Sequence, residues 1–444
     1  MRVILTHDPT DLGEGLVCYQ ENDCDCVCAC PTDGAPTPVL SLPLVYYLEL
    51  TSACNNRCPG CGNVYGGERA SLPPPLDGPG WRDLLARLAS HAQYFKLTGG
   101  EATLHPAFGE IVRALEDLGV PFTLFTNGRW SHSAALVGLL RDAVTCEGLL
   151  ISLHGPDAAT HEAFSGVPGS FDETVSNVRR AVDAGLDVAL SLVINRRNWD
   201  RIEESLDLAL SLGAKRVVCN RLIGAPTLTI FPSQAQLRAA MATVETLRGA
   251  GRAIRFGNCI PQCFEISSSR GCTAGSTFAT VDPWGRMRPC NHADLIAGDL
   301  RAQPVAKVWH GEIMTLWRSL VPDGCATCPA FASCHGGCRA QALLTGTQDP
   351  LIQAPLVEPG TLPEVELLLY AGLHPTGRFS RRSESGKDVL VHKGRVATVP
   401  ADCDPLARKL DGSLTLRQVE RRYGAVALEW VGALYQDGFV TLQS

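Results

Sequence analysis

Cys54, Cys58 and Cys61 stand in Cys-x3-Cys-x2-Cys spacing within segment 51–61, straight after an apolar run. Soft thiolates select iron–sulfur clusters or zinc. Three thiolates leave one iron of a four-iron cluster without a protein ligand, and such an open position is where a metal site does chemistry. A second constellation lies downstream. Cys272 is followed by Gly285 and, after four intervening residues, Cys290; then come Cys325-x2-Cys328-x5-Cys334-x3-Cys338, with Cys259 and Cys263 just upstream. Paired Cys-x2-Cys elements also suit zinc, so for this set both metals stay open.

Other candidates are polar residues that follow apolar runs. Gly99-Gly100-Glu101 follows 94–97, where glycines permit close backbone approach to a ligand and a carboxylate accepts bonds from an ammonium group. Asn127, Ser152 and Asn195 end later runs and could bond a cofactor, although ordinary turn chemistry also uses such residues. Cys146 and Cys219 sit in apolar surroundings and read as core packing.

The chain has 19 cysteines in 444 residues and a net charge of -7. It shows neither a secretory signal nor an apolar stretch of about 20 residues, so it reads as soluble and cytoplasmic. Thiols are kept reduced in that compartment, which favours metal ligation over disulfides. The acidic balance argues against nucleic acid as the default partner. Cys18, Cys24, Cys26, Cys28 and Cys30 form a further series, the last four at the period of an extended strand. Metal binding, thiol relay and a flexible tail all fit it.

The elements that must position these residues alternate. Six short apolar runs, at 44–50, 94–97, 122–125, 149–153, 188–194 and 216–219, are separated by amphipathic stretches. Phe108, Ile111, Val112, Leu115 and Leu118 mark one helical face, with Gly119 as its stop. Ser170 and Glu173 read as a capping box opening another helix. Such alternation predicts an α/β fold with a parallel sheet, open or closed, and chemistry at the carboxyl ends of its strands. The expected division is 1–42, cysteine-rich; 43–256, the α/β core; 257–344, a cysteine-organised domain; 345–366, a linker; and 367–444. In the last part a hairpin at 388–399, three helices and a closing strand suggest a winged-helix fold.

The triad with Gly99-Gly100-Glu101 after the next strand resembles the radical S-adenosylmethionine (SAM) superfamily. The resemblance implies a partial (β/α)6 barrel, a 4Fe-4S cluster on Cys54, Cys58 and Cys61, and SAM on its open iron. It also implies contacts to SAM from Gly99, Gly100 and Glu101, with Asn127, Ser152 and Asn195 in similar positions. Gly60 departs from relatives that carry an aromatic residue before the third cysteine. The downstream cysteines resemble the SPASM domain, which implies one or two auxiliary 4Fe-4S clusters. By that resemblance Cys272, Cys290 and Cys338 belong to the first, with Cys263 or Cys259 upstream, and Cys325, Cys328 and Cys334 to the second. The family's seventh cysteine is absent after 346–350, leaving a non-cysteine site, a ligand from Cys403 or the N-terminal run, or loss of that cluster. Segment 402–412 and segment 434–439 resemble weakly a PqqD-like precursor-recognition domain. The implied activity is generation of a 5'-deoxyadenosyl radical that modifies a peptide or protein, with thioether or carbon–carbon crosslinking as examples. An electron donor such as flavodoxin or ferredoxin would serve it. Formylglycine formation in a sulfatase, a small-molecule substrate and an iron–sulfur DNA sensor are the alternatives. For the last, eleven Lys plus Arg against eight Asp plus Glu over 367–444 is a small excess.

Overall fold

Alternating apolar runs and helices give one parallel sheet. The computed structural model describes residues 2–6, 29–30, 39–66, 72–265, 271–353, 366–384 and 387–443. Cys18, Cys24, Cys26 and Cys28 lie outside them, as does most of the expected linker. In chain order, β1 (Arg2–Thr6) and β2 (Ala29–Cys30) come first. The core then sets β3 (Val45–Glu49), β4 (Tyr94–Thr98), β5 (Phe122–Thr126), β6 (Cys146–Ser152), β7 (Val188–Ile194) and β8 (Arg216–Arg221) side by side, each parallel to the next. These are the six expected strands. Their side chains are mostly buried on both faces, which is why they read as continuous apolar runs.

Two further parallel strands extend this set. β9 (Ile254–Phe256) pairs with β8, and β10 (Phe278–Val281) pairs with β3 on its other side. β11 (Arg286–Arg288) and β12 (Gly298–Asp299) then add antiparallel. The ten-stranded order therefore runs from β12 to β9 without closing, and it crosses the expected boundary at residue 257. β9 escaped the sequence reading because it offers three residues with one buried side chain.

Helices pack on this sheet through their apolar faces. Helix Gly78–Ala89 buries Trp81, Leu84, Leu85 and Leu88, and helix Phe108–Leu118 buries Phe108, Ile111, Val112 and Leu115 before stopping at left-handed Gly119. Helix Ser170–Asp183 starts differently from expectation. Its cap is Gly169, without a side-chain bond. Ser170 is buried and pairs through Oγ with Ser165 Oγ (2.6 Å), while Glu173 is drawn instead to Arg129.

The C-terminal part comprises β13 (Glu366–Tyr370), β14 (His374–Gly377), β15 (Ser380–Glu384), β16 (Lys387–His392), β17 (Arg395–Thr398) and β18 (Val440–Gln443). The hairpin β16–β17 turns at Lys393-Gly394 as expected, and β18 pairs with β14. Helices Asp404–Ala407, Leu416–Tyr423 and Ala425–Gln436 enclose a separate apolar core. Val389, Val391 and Val396 of the hairpin pack on Leu40, Leu44, Val45 and Tyr94, so this part is docked on the sheet. β13 pairs with β1, and β17 with β2 at Cys30.

Candidate functional site

Every expected site residue of the core lies at a carboxyl end of the parallel strands. The triad loop leaves β3 and is held from beneath by the loop after β4. Gly100 N–H donates to Thr51 O and Glu101 N–H to Ala53 O, both at 2.7 Å. A Cβ on Gly99 (φ +142°) would come within 2.5 Å of Thr51 O, and one on Gly100 within 2.2 Å of Ala53 O. The two glycines thus let two backbones meet: their close approach is to the cysteine loop.

Glu101 is buried, and burial pushes its carboxyl above the usual range. Four donors answer that cost: Thr103 N–H (3.3 Å) and Oγ1 (2.7 Å), Thr126 Oγ1 (2.8 Å) and Asn127 N–H (2.7 Å). The carboxylate therefore ties the loops after β4 and β5 together. Asn127 Nδ2 donates to Asn55 Oδ1 (2.6 Å) and reaches Cys54 Sγ at 3.8 Å. Arg129 finishes the clamp, donating to Asn55 O (2.6 Å), Asn56 Oδ1 (3.0 Å) and Glu173 (2.8 Å). These bonds fix the triad loop on one side, and Arg57 N–H to Ser165 O (2.8 Å) fixes it on the other.

Cys58 and Cys61 open onto a cavity of about 460 Å³, lined also by Ser152, His154, Asn220 and Arg255 from later strand ends. Cys259, Cys272, Cys290 and Cys338 line the same cavity. His292 lies between the triad loop and Cys290: its ring lies against Gly62, where a Cβ would be 2.1 Å from Cε1, and its backbone N–H donates to Cys290 Sγ (3.4 Å). Burial, with Arg288 nearby, lowers the imidazole to about 4, so it is neutral at pH 7.

The downstream thiols form two groups. Cys259, Cys272, Cys290 and Cys338 share a buried cluster with Trp317. Cys259 contacts Cys272 and Cys338 directly. Cys263 lies elsewhere: with Cys325, Cys328 and Cys334 it lines a smaller cavity. Of the two upstream cysteines considered for the first group, Cys259 is the one beside it; the expected Cys263 is turned to the second group. His335, Gly336 and Gly337 all adopt positive φ (59°, 77° and 79°), turning the chain so that Cys334 serves one cavity and Cys338 the other. A left-handed non-glycine costs about 1–2 kcal/mol, so His335 marks a turn that packing enforces.

Residue 349, assigned by sequence to the linker, is part of this site. Asp349 is buried and forms a bidentate pair with Arg221 at the end of β8 (2.8 and 2.9 Å). It also accepts from Cys338 N–H (2.8 Å). The ion pair thereby links the parallel core to the first thiol group. A second buried pair, Arg288 with Glu49, links β11 to β3.

Several sequence candidates have other partners. Asn195 is buried, its side chain donating to Val193 O (2.9 Å) and accepting from Arg197 N–H (2.8 Å) within its own turn. Tyr65, considered for adenine stacking, donates to Asp282 (3.0 Å) and meets Trp284 edge-on. Gly60 explains its own departure: a Cβ there would lie 2.8 Å from Leu222 and 2.9 Å from Ile230, leaving no room for an aromatic ring. Cys403 is buried in the C-terminal core with Leu406 and Trp430, and Cys146 and Cys219 are packed thiols pushed up to about 12 by burial. Sequence reading passed over His154, Asn220, Arg255 and His292. Their one signal is position, at or just after strand ends.

Thiol groups at the carboxyl face of an open parallel sheet define a cluster-bearing α/β enzyme. The radical SAM superfamily matches residues 48–209, and an iron–sulfur cluster-binding (SPASM) domain matches 272–330. The chain is 31% identical over 339 residues to the PqqA peptide cyclase of Xanthomonas campestris pv. campestris (strain 8004), covering 70% of this chain and 87% of that protein. It is 28% identical to the PqqA peptide cyclase of Methylobacterium nodulans over 70% and 85%. Among solved structures, Streptococcus suis SuiB bound to precursor peptide SuiA aligns with TM-score 0.60 and 19% identity, over 71% of this chain and 77% of that one. Native anSMEcpe with bound AdoMet aligns with TM-score 0.55 and 14% identity, over 70% and 93%. The chain belongs to the radical SAM superfamily, as an enzyme with a SPASM domain that uses SAM and 4Fe-4S clusters.

Proposed function

We propose that this enzyme modifies a ribosomally made peptide, with Cys54, Cys58 and Cys61 holding the cluster that binds SAM. The observation that carries this is the shared cavity. Cys58 and Cys61 line it together with Cys259, Cys272, Cys290 and Cys338, so a substrate bound there would lie within reach of both thiol groups. Cys54, Cys58 and Cys61 would hold a cluster whose one-electron chemistry on SAM would supply the oxidant for hydrogen-atom removal from the substrate, and Cys259, Cys272, Cys290 and Cys338 would hold a group able to take up the electron left over when the new bond forms.

The chain's residues supply the frame. Glu101, Asn127 and Arg129 hold the triad loop; Ser152, His154, Asn220 and Arg255 offer polar contacts to SAM or substrate. The names of the relatives, PqqA peptide cyclase, favour a peptide as substrate. The C-terminal part is the proposed precursor-binding module, with strand edges suited to taking up an extended segment. We place the enzyme in the cytoplasm, with flavodoxin or ferredoxin as reductant and neither nucleic acid nor membrane as partner. Among the described residues no helix is long and apolar enough to cross a membrane.

Anaerobically reconstituted, reduced protein should release 5'-deoxyadenosine from SAM, and replacing Cys54, Cys58 and Cys61 by Ala should abolish the release. Addition of a candidate precursor peptide should raise the release and change the peptide's mass. No release from the parent protein would remove the reading altogether. Release that no peptide stimulates would remove the substrate class.

A further inference from the structure

We infer that Cys263 is the fourth ligand of the second auxiliary cluster, which is thereby held by Cys263, Cys325, Cys328 and Cys334. The inference rests on the reading of these thiols as cluster ligands and adds who completes the set. Three observations carry it. First, Cys263 lines the same cavity as the other three thiols, and Cys259, four residues earlier, lines the other one. Second, neighbouring bonds hold it there. Gln262 N–H donates to Cys334 Sγ (3.4 Å), and Gln262 Oε1 accepts from Ser333 Oγ (3.1 Å). Third, segment 351–353, which follows Asp349 and lacks a cysteine, reaches the cavity with Ile352 and Gln353, and Gln353 N–H donates to Cys263 Sγ (3.3 Å). The thiol missing from that segment is matched by one brought beside it from a distant part of the chain.

The arrangement has an internal logic. Cys259-x3-Cys263 and Cys334-x3-Cys338 each straddle the two cavities and give one thiol to each. Both auxiliary groups then hold four thiols, which satisfies every iron of a four-iron cluster. Neither has an iron left for substrate, so both are fitted to carry electrons, and the open iron is confined to the Cys54, Cys58 and Cys61 site.

The test uses the full chain with Cys54, Cys58 and Cys61 replaced by Ala, reconstituted anaerobically, so that only auxiliary signals remain in the electron paramagnetic resonance spectrum. Cys272→Ala and Cys325→Ala assign those signals to the first and second group. Cys263→Ala should remove or shift the signal that Cys325→Ala affects and lower iron content by up to half. Adding Gln353→Cys should restore both. Should Cys263→Ala aggregate, Cys263→Ser is read in the same way. Unchanged signals and iron, or a change in the signal assigned by Cys272→Ala, would overturn the assignment. With the triad intact, absence of 5'-deoxyadenosine release from the parent chain would instead count against the family chemistry itself.

Discussion

At the scale of single residues, backbone contact decides more than side-chain chemistry. Gly100→Ala sets a methyl group against Ala53 O, where the nearest approach is 2.2 Å. It should destabilise the fold by about 1–3 kcal/mol, the usual cost of overpacking. Iron content should fall selectively at the triad while the auxiliary signals persist. Asp349→Asn should cost about 3–5 kcal/mol in chemical denaturation, because it strands a buried guanidinium; Arg221→Met in the same chain should recover part of that loss. The three triad cysteines were legible in sequence because thiol spacing is itself geometric information. The partition of Cys259 and Cys263 was not, since it depends on which way a loop of four residues turns. Asp349 was hidden for a similar reason: its partner Arg221 is 128 residues away.

At the scale of elements, strand position was readable where the strands are buried on both faces, and unreadable where they are short. β3 to β8 announced themselves as apolar runs, whereas β9 and β11 have three residues each. The capping reading at Ser170 failed because Glu173 is more strongly engaged by Arg129 than by its own helix end. An element-scale prediction concerns the end of helix Gly78–Ala89. Just beyond it, His91 Nε2 and Tyr46 OH are 2.6 Å apart, tying the helix end to β3. Burial, aided by Arg382, lowers the imidazole from 6.5 to about 4. The unfolded chain then binds the proton more readily, so stability is lost as pH falls from about 6.5 towards 4. His91→Gln should flatten the melting temperature against pH over that window. An unchanged acid slope would show that other groups govern it.

At the scale of the whole molecule, stretches of distinct texture in the sequence are joined more closely than texture implied. β10 and β11, from the cysteine-rich stretch, belong to the core sheet, and the hairpin β16–β17 rests on β3 and β4 through valines. Composition changes along a chain record local needs, such as thiols or turns; they do not record which strands later pair. The docked hairpin yields a prediction. Val391→Asp places a carboxylate in a dry contact and should loosen the C-terminal part. Peptide-dependent turnover should drop severalfold while release of 5'-deoxyadenosine without peptide is retained, a split that loss of the core fold would not give.

The place of β10 beside β3 has a consequence for synthesis. The chain makes β3 about 230 residues before the strand that will cover its second edge. At ordinary translation speeds that is a wait of roughly 10 to 50 s, during which Val45 to Glu49 presents open backbone bonds on one side. The triad cysteines emerge at the start of that interval, Cys259, Cys263 and Cys272 near its end, and Cys290 to Cys338 after β10. The order of synthesis therefore delivers the thiols of the proposed SAM site first, and those of the proposed auxiliary groups arrive on either side of the strand that closes the gap.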